Sequence, residues 1–203
     1  MHLTATILPP DGVLGHLGDA LSADLARSDQ VDWRHESRWR IHLADFGVVV
    51  RGDALQLVER LGERIAELPP PTLRLEEIRP LPTDGDDGVW VGLGGDADAL
   101  TEFATAIPRV VHELGFVPDR RLYYPGIRLG RVTTTTTVAY LEDLERRLGG
   151  YEGPAWTPRA VMFSAEKPSG PNRPPSYDVF QEVAFHGVGA AYDAEGSEAG
   201  QPL

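Results

Sequence analysis

The sequence predicts an α+β chain with an approximate internal duplication, and three observations carry that prediction. The order strand–helix–strand–helix–strand can be read once from the N-terminus and then much the same again. An alternating stretch, Trp39-Arg40-Ile41-His42-Leu43, has a shorter echo at Tyr124-Pro125-Gly126-Ile127-Arg128-Leu129-Gly130. Between the strand patterns lie segments with apolar residues at helical spacing.

Residues 3–8 alternate and β-branch as a strand, and Pro9-Pro10-Asp11-Gly12 stops it. Residues 13–26 place Val13, Leu14, Leu17, Leu21 and Leu25 on one helical face, and residues 53–68 do the same with Leu55, Leu57, Val58, Leu61 and Ile65 before Pro69-Pro70-Pro71. Between them a strand is expected from about Trp39. Residues 72–81 and 89–93 read as strands about a polar turn at 84–88, and 96–114 as a helix capped by Asp96 or Asp98 and kinked at Pro108. A strand over 122–132 leads into five threonines, Thr133 to Thr137, which suit a strand or a cap and carry no chemistry of their own. A helix over 138–148 and two strands at 160–166 and 177–185, joined by a Pro/Gly/Ser-rich hairpin loop, complete the ordered part. The domain is expected over residues 1–188, with 189–203, small and acidic, as a disordered tail.

With 203 residues the chain makes one domain, or two small lobes sharing a core. It has no cysteine, so disulfides and thiolate metal sites are excluded. The apolar runs are short of a membrane span, and Met1-His2-Leu3-Thr4 lacks the basic start of a signal peptide, so the expectation is a cytoplasmic protein without a membrane partner. A formal charge of −12 argues against broad nucleic-acid binding. Against that background two local arginine clusters stand out: Arg34, Arg38 and Arg40, then Arg120, Arg121, Arg128 and Arg131. Lys167 is the only lysine, and composition bias alone accounts for much of the arginine excess.

In a strand, alternation sends Ile41 and Leu43 to one face and Arg40, His42 and Ala44 to the other; Ile127 and Leu129 likewise oppose Arg128. Two such strands are expected to form facing walls of one cleft. Other motifs carry less. Gly92-Leu93-Gly94-Gly95 lacks the spacing and lysine of a phosphate loop and reads as a tight turn. His16 and His112 sit in helical patterns, whereas His35 and His186 could approach the cleft mouth. No spacing resembles a metal site or a serine-hydrolase elbow, and neither metal nor cofactor is expected.

Trp33 and the gapless run Trp39-Arg40-Ile41-His42-Leu43-Ala44-Asp45-Phe46-Gly47, with Gly115-Phe116 and Pro125-Gly126-Ile127-Arg128-Leu129-Gly130-Arg131-Val132, resemble the motif frames of the two-histidine phosphoesterase superfamily. The closer likeness is to its LigT-like branch of 2′-5′ RNA ligases and RNA 2′,3′-cyclic phosphodiesterases. Val161-Met162-Phe163-Ser164 and Tyr177-Asp178-Val179-Phe180 resemble that branch's last hairpin. The resemblance implies a bilobal fold, with two antiparallel sheets around a central cleft and helices outside. It also implies metal-independent chemistry in which one imidazole takes a proton and the other gives one.

By that register Arg40 stands at the first histidine position and His42 at its threonine, while Gly126 stands at the second histidine position and Arg128 at its threonine. Arginine, with a pKa above about 12, is no base at ordinary pH, and glycine carries no proton to give. Losing each general acid or base costs about 10²- to 10⁴-fold. The resemblance thus leads to a protein with lost or strongly reduced catalysis that binds a phosphorylated small molecule, nucleotide or RNA end through Arg40, His42 and Arg128. Three alternatives stay open: an atypical active cyclic phosphodiesterase using His42 as its catalytic group, a non-catalytic protein-interaction module, and a cleft filled by pairing with Glu36, Asp45 or Glu182.

Overall fold

Eight strands and four helices form from the residues that the structure, a computed structural model, describes: 1–27, 29–83, 85–116, 123–167 and 176–188. They follow the order β1 (His2–Ile7), α1 (Asp11–Leu25), β2 (Val31–Trp33), β3 (Ile41–Val48), α2 (Arg51–Ile65), β4 (Leu73–Pro80), β5 (Gly88–Gly95), α3 (Ala97–Glu113), β6 (Gly126–Val132), α4 (Val138–Leu148), β7 (Ala160–Lys167) and β8 (Ser176–Ala184). The expected hairpin loop, the acidic tail, and Arg120 and Arg121 lie outside the described residues.

The strands make two four-stranded antiparallel sheets, β3-β1-β7-β8 and β2-β6-β5-β4. The α+β class with two antiparallel sheets is as the sequence predicts. The wiring is interleaved, however. β2 leaves the first half of the chain to pair with β6, and β7–β8 return from the far end to pair with β1. Neither sheet is therefore a contiguous half of the sequence.

One apolar core runs through both sheets. The helices feed it at intervals of three and four residues: Val13, Leu17 and Leu21 from α1, Leu57, Val58, Leu61 and Ile65 from α2, Leu100, Phe103, Ile107 and Val111 from α3. Each fully buried Leu or Ile is worth about 1.5–3 kcal/mol. α1 and α4 are also joined by a polar contact. The Asp24 carboxylate, 1% exposed, accepts from Arg147 Nη1 and Nη2 at 3.0 and 2.8 Å and from the Tyr140 hydroxyl at 3.1 Å.

Two local readings change. The strand expected from Trp39 begins at Ile41, because Trp39 closes a 3-10 turn over Glu36–Arg38 and donates its N–H to the Glu36 carbonyl. The partner strand β1 ends where Ile7 meets Ile41, which leaves residues 39 and 40 without a ladder. Asp96 does not cap α3 with its side chain. Its carboxylate accepts instead from the Thr72 N–H at 3.1 Å, tying the helix start to the entry of β4. Of the five threonines, Thr137 caps α4 by accepting from Tyr140 N–H, while Thr133, Thr135 and Thr136 donate to the carbonyls of Asp29 and Gln30 beside β2.

Candidate functional site

Along β3, Ile41 and Leu43 are buried and His42 is exposed; along β6, Ile127 and Leu129 are buried and Arg128 is partly open. The alternation thus orients both strands as the sequence predicts, and β3 and β6 are in contact although they belong to different sheets. His42 lies opposite Thr6 of β1, which in turn lies opposite Met162 of β7. Arg40 sits one residue before β3. Its guanidinium carbon stands 3.7 Å from the centroid of the Tyr177 ring on β8, and Nη2 donates to the Ser37 carbonyl at 3.0 Å. A planar guanidinium over an aromatic face is a favourable cation–π arrangement, and it fixes the Arg40 head.

Gly126 is enclosed by backbone. A Cβ built there would lie 2.3 Å from the Val91 carbonyl oxygen and 3.3 Å from both Gly92 Cα and the Tyr124 ring. The glycine pair Gly126–Gly92 between β6 and β5 lets the strands come this close. Position 126, expected from the resemblance to align with a histidine, is thus closed to a side chain in this geometry.

Arg128 reaches the turn between β4 and β5. Its Nη2 donates to Asp87 Oδ1, its Nε to the Gly130 carbonyl at 3.4 Å, and its guanidinium lies 5.9 Å from the Trp90 ring, itself in edge contact with Tyr124 at 5.1 Å. Arg131 approaches the same carboxylate, Nε to Asp87 Oδ2 at 3.9 Å. Burial pushes the Tyr124 phenol above its usual range.

Beside Arg128 opens a cavity of about 350 Å³ lined by Asp32, Trp33, Arg34, His35, Arg38, Arg128 and Arg131. A second hollow, lined by Asp32, Asp87, Arg131, Val132, Thr133 and Thr134, shares Asp32 and Arg131 with it. The fold therefore brings Arg34 and Arg38 of the first sequence cluster to Arg128 and Arg131 of the second. Arg128 lines this cavity, while Arg40 and His42 stand beside and on β3, which is in contact with β6. His35 is on the cavity wall. His16 contacts the Tyr151 hydroxyl at 3.0 Å, and His186 contacts the Ala66 carbonyl at 3.2 Å, at the end of α2.

Asp87, Trp90 and Tyr177 are the contacts that sequence reasoning missed. Asp87 was legible only as part of a polar turn, and Tyr177 is far from Arg40 along the chain. No described set of His, Cys, Asp and Glu could hold a metal ion, and no helix among the described residues is long and apolar enough to cross a membrane. Gly92-Leu93-Gly94-Gly95, expected as a tight turn, instead forms the end of β5 paired with β4, and only Gly95, with φ +82° and a Cβ position 2.3 Å from the Thr72 carbonyl oxygen, bends toward α3.

Comparison with known proteins places this arrangement. Over 92% of its length the chain superposes on 99% of the crystal structure of TT0787 of Thermus thermophilus, with a TM-score of 0.70 and 18% identity. E. coli LigT in its apo form gives 0.70 at 15% identity, covering 91% of this chain and 97% of LigT, and LigT complexed with 3′-AMP gives 0.67 at 16% over the same shares. The fold is LigT-like. In sequence, 96 residues are 30% identical to an RNA 2′,3′-cyclic phosphodiesterase of Aeropyrum pernix, 45% of this chain and 54% of that protein, so the alignment spans about half the length of the curated relative. No family model matches the chain. Together these likenesses establish a LigT-like fold, with sequence similarity to an RNA 2′,3′-cyclic phosphodiesterase over about half of that protein.

Proposed function

We propose that this LigT-like chain binds a phosphate-bearing ligand, a nucleotide or an RNA end, at Arg40, His42 and Arg128, with 2′-5′ ligase or cyclic phosphodiesterase chemistry lost or strongly reduced. The observation that carries the reading is the backbone closure at Gly126, where a Cβ would meet the Val91 carbonyl at 2.3 Å. Two-imidazole catalysis needs a proton donor and a proton acceptor on opposite sides of phosphorus. Arg40 can hold a phosphate oxygen but cannot exchange a proton near neutrality. Arg128 keeps a guanidinium beside the closed position, where it can hold an anion. The nucleotides bound by E. coli LigT, among them 3′-AMP, ATP and NADP+, support phosphorylated small molecules as the ligand class.

The experiment is a pair of assays on the purified chain. Calorimetric titration with 2′,3′-cyclic nucleotides, 2′-5′ adenylates and short RNA 3′ ends is expected to show binding that Arg40→Ala or Arg128→Ala abolishes. Chromatography of the same mixtures is expected to show no product. Turnover that vanishes in His42→Ala would replace this reading with an atypical active phosphodiesterase. That second reading is favoured by one observation: His42 is exposed on β3, where an imidazole can meet a substrate.

A further inference from the structure

We infer that the β7–β8 hairpin is an arm latched over the His42 face of its sheet by the contact of Arg40 with Tyr177, and that the latch opens before an anion can take Arg40. The ligand half of this rests on the preceding reading; the latch is read from strand register. Residues directly opposite each other on neighbouring strands point to the same face. His42 lies opposite Thr6, and Thr6 opposite Met162. Thr4, Ser164 and Val179 make the next row on that face, and Glu166 and Tyr177 the last. Helix α2 lies on the other face, where a Gly62 Cβ position is 3.6 Å from Val183.

Distance requires the arm to bend. Ile41 lies opposite Ile7, Ala165 opposite Leu3, and Glu166 opposite Tyr177, so Arg40 and Tyr177 stand at opposite ends of β1 and on the two outer strands. In a flat sheet they would be about 20 Å apart along the strands and about 14 Å apart across them, beyond the joint reach of the two side chains. Their charged and aromatic groups nonetheless meet at 3.7 Å. The hairpin therefore curls diagonally back over the face, and the register shift between Phe163 and Ser164 marks where a bulge adds twist. The diagonal passes above Thr4, Thr6 and Ser164, which are 6%, 0% and 2% exposed although α2 lies on the other side. Thr6 Oγ1 is buried with no hydrogen-bond partner among the described residues. An arm folded over this face accounts for that burial. The Arg40 head is engaged on two sides, by the Tyr177 ring over its plane and by the Ser37 carbonyl at Nη2. An anion that draws the guanidinium toward His42 breaks the ring contact and releases the arm.

The test is amide hydrogen exchange of the full chain, read by mass spectrometry without ligand, followed by calorimetric titration with adenosine 3′-monophosphate. Arg40→Ala and Tyr177→Ala should each speed exchange at residues 177–179 by about threefold, the equilibrium worth of one exposed cation–π contact, and leave α2 unchanged. Tyr177→Phe keeps the ring and should exchange as the unaltered chain does. Unchanged exchange in either alanine variant overturns the latch. So does equal acceleration in Tyr177→Phe, which would make the hydroxyl the tie, and so does acceleration that extends to α2, which would mark a general loss of stability. In the titration Tyr177→Ala should bind the nucleotide about threefold more tightly than the unaltered chain, a gain that misfolding cannot mimic. Equal or weaker binding overturns the gate and leaves the ligand reading standing. Absence of binding in every variant, with exchange accelerated as expected, defeats the ligand reading and leaves the latch.

Discussion

At Gly126 the backbone of β5 packs directly against β6 and leaves no space for a side chain. A Cβ 2.3 Å from a backbone carbonyl cannot be relieved by a rotamer change, because its obstacle is the β5 main chain itself. Gly126→His should therefore fail to restore phosphodiesterase turnover. Gly126→Ala should already destabilise the fold by about 1–3 kcal/mol, the usual cost of forcing a methyl into filled space. Thermal melts of both variants, with a cyclic-nucleotide assay of the first, check this. An unchanged melting temperature with restored turnover would mean that the position is simply vacant. Arg40 differs in kind. Its guanidinium is held on the Tyr177 ring, so position 40 is occupied by a side chain where position 126 is closed to one.

At the scale of elements, α4 is held by charge as much as by its two buried residues, Tyr140 and Leu144. Arg147 bridges Asp24 on α1 and Asp143 on its own helix. Arg147→Ala leaves a carboxylate that is 1% exposed with only the Tyr140 hydroxyl, and unfolding in urea should show a loss of about 3 kcal/mol. Replacing both partners, Asp24→Leu with Arg147→Met, should recover part of it. Asp143 supplies a pH dependence. The hydrogen bond from Arg147, then that from Arg146, holds its carboxyl below the ordinary carboxylate range. A depressed folded value means that this stabilisation is present above the unfolded value of about 3.9 and fades as pH falls through the lower folded one. Asp143→Asn should flatten the acid limb of the urea midpoint below about pH 4; an unaltered limb would show that the ion pair contributes nothing.

The whole molecule depends on the interleaving of its two sheets. β7 pairs with β1, so the last hairpin is half of the sheet that the first strand begins. A chain ending at Gly150 would expose Leu3, Ala5 and Ile7 along an unpaired edge and lose Phe163, a fully buried aromatic. It should not melt cooperatively, as calorimetry of the truncated chain would show, whereas two independent lobes would leave a cooperative transition. The two arginine clusters also meet only at this scale. Arg34 and Arg38 leave β2 and the turn after it, Arg128 and Arg131 lie on β6, and the pairing of Trp33 with Gly130 brings them to one cavity.

The sequence by itself determined the class, most of the elements and the face of each strand. Apolar period reports directly on which side meets the core, and that held for Ile41 and Leu43, for Ile127 and Leu129, and for Val13, Leu17 and Leu21 of α1 and Leu57, Val58, Leu61 and Ile65 of α2, whereas Leu55 is exposed. The motif frame singled out positions 40, 42, 126 and 128 as candidates, since their order along the chain does not depend on the fold. Strand starts were less legible: Trp39 continues the alternation, yet no partner strand reaches it. The tertiary structure alone decided which charges share a site. Asp87 meets Arg128 and Tyr177 meets Arg40 through sheet pairing and turn geometry, which bring together residues whose separation along the chain carries no periodic signal. Side-chain direction is a local property that alternation records; proximity across sheets is set by the packing of the whole chain.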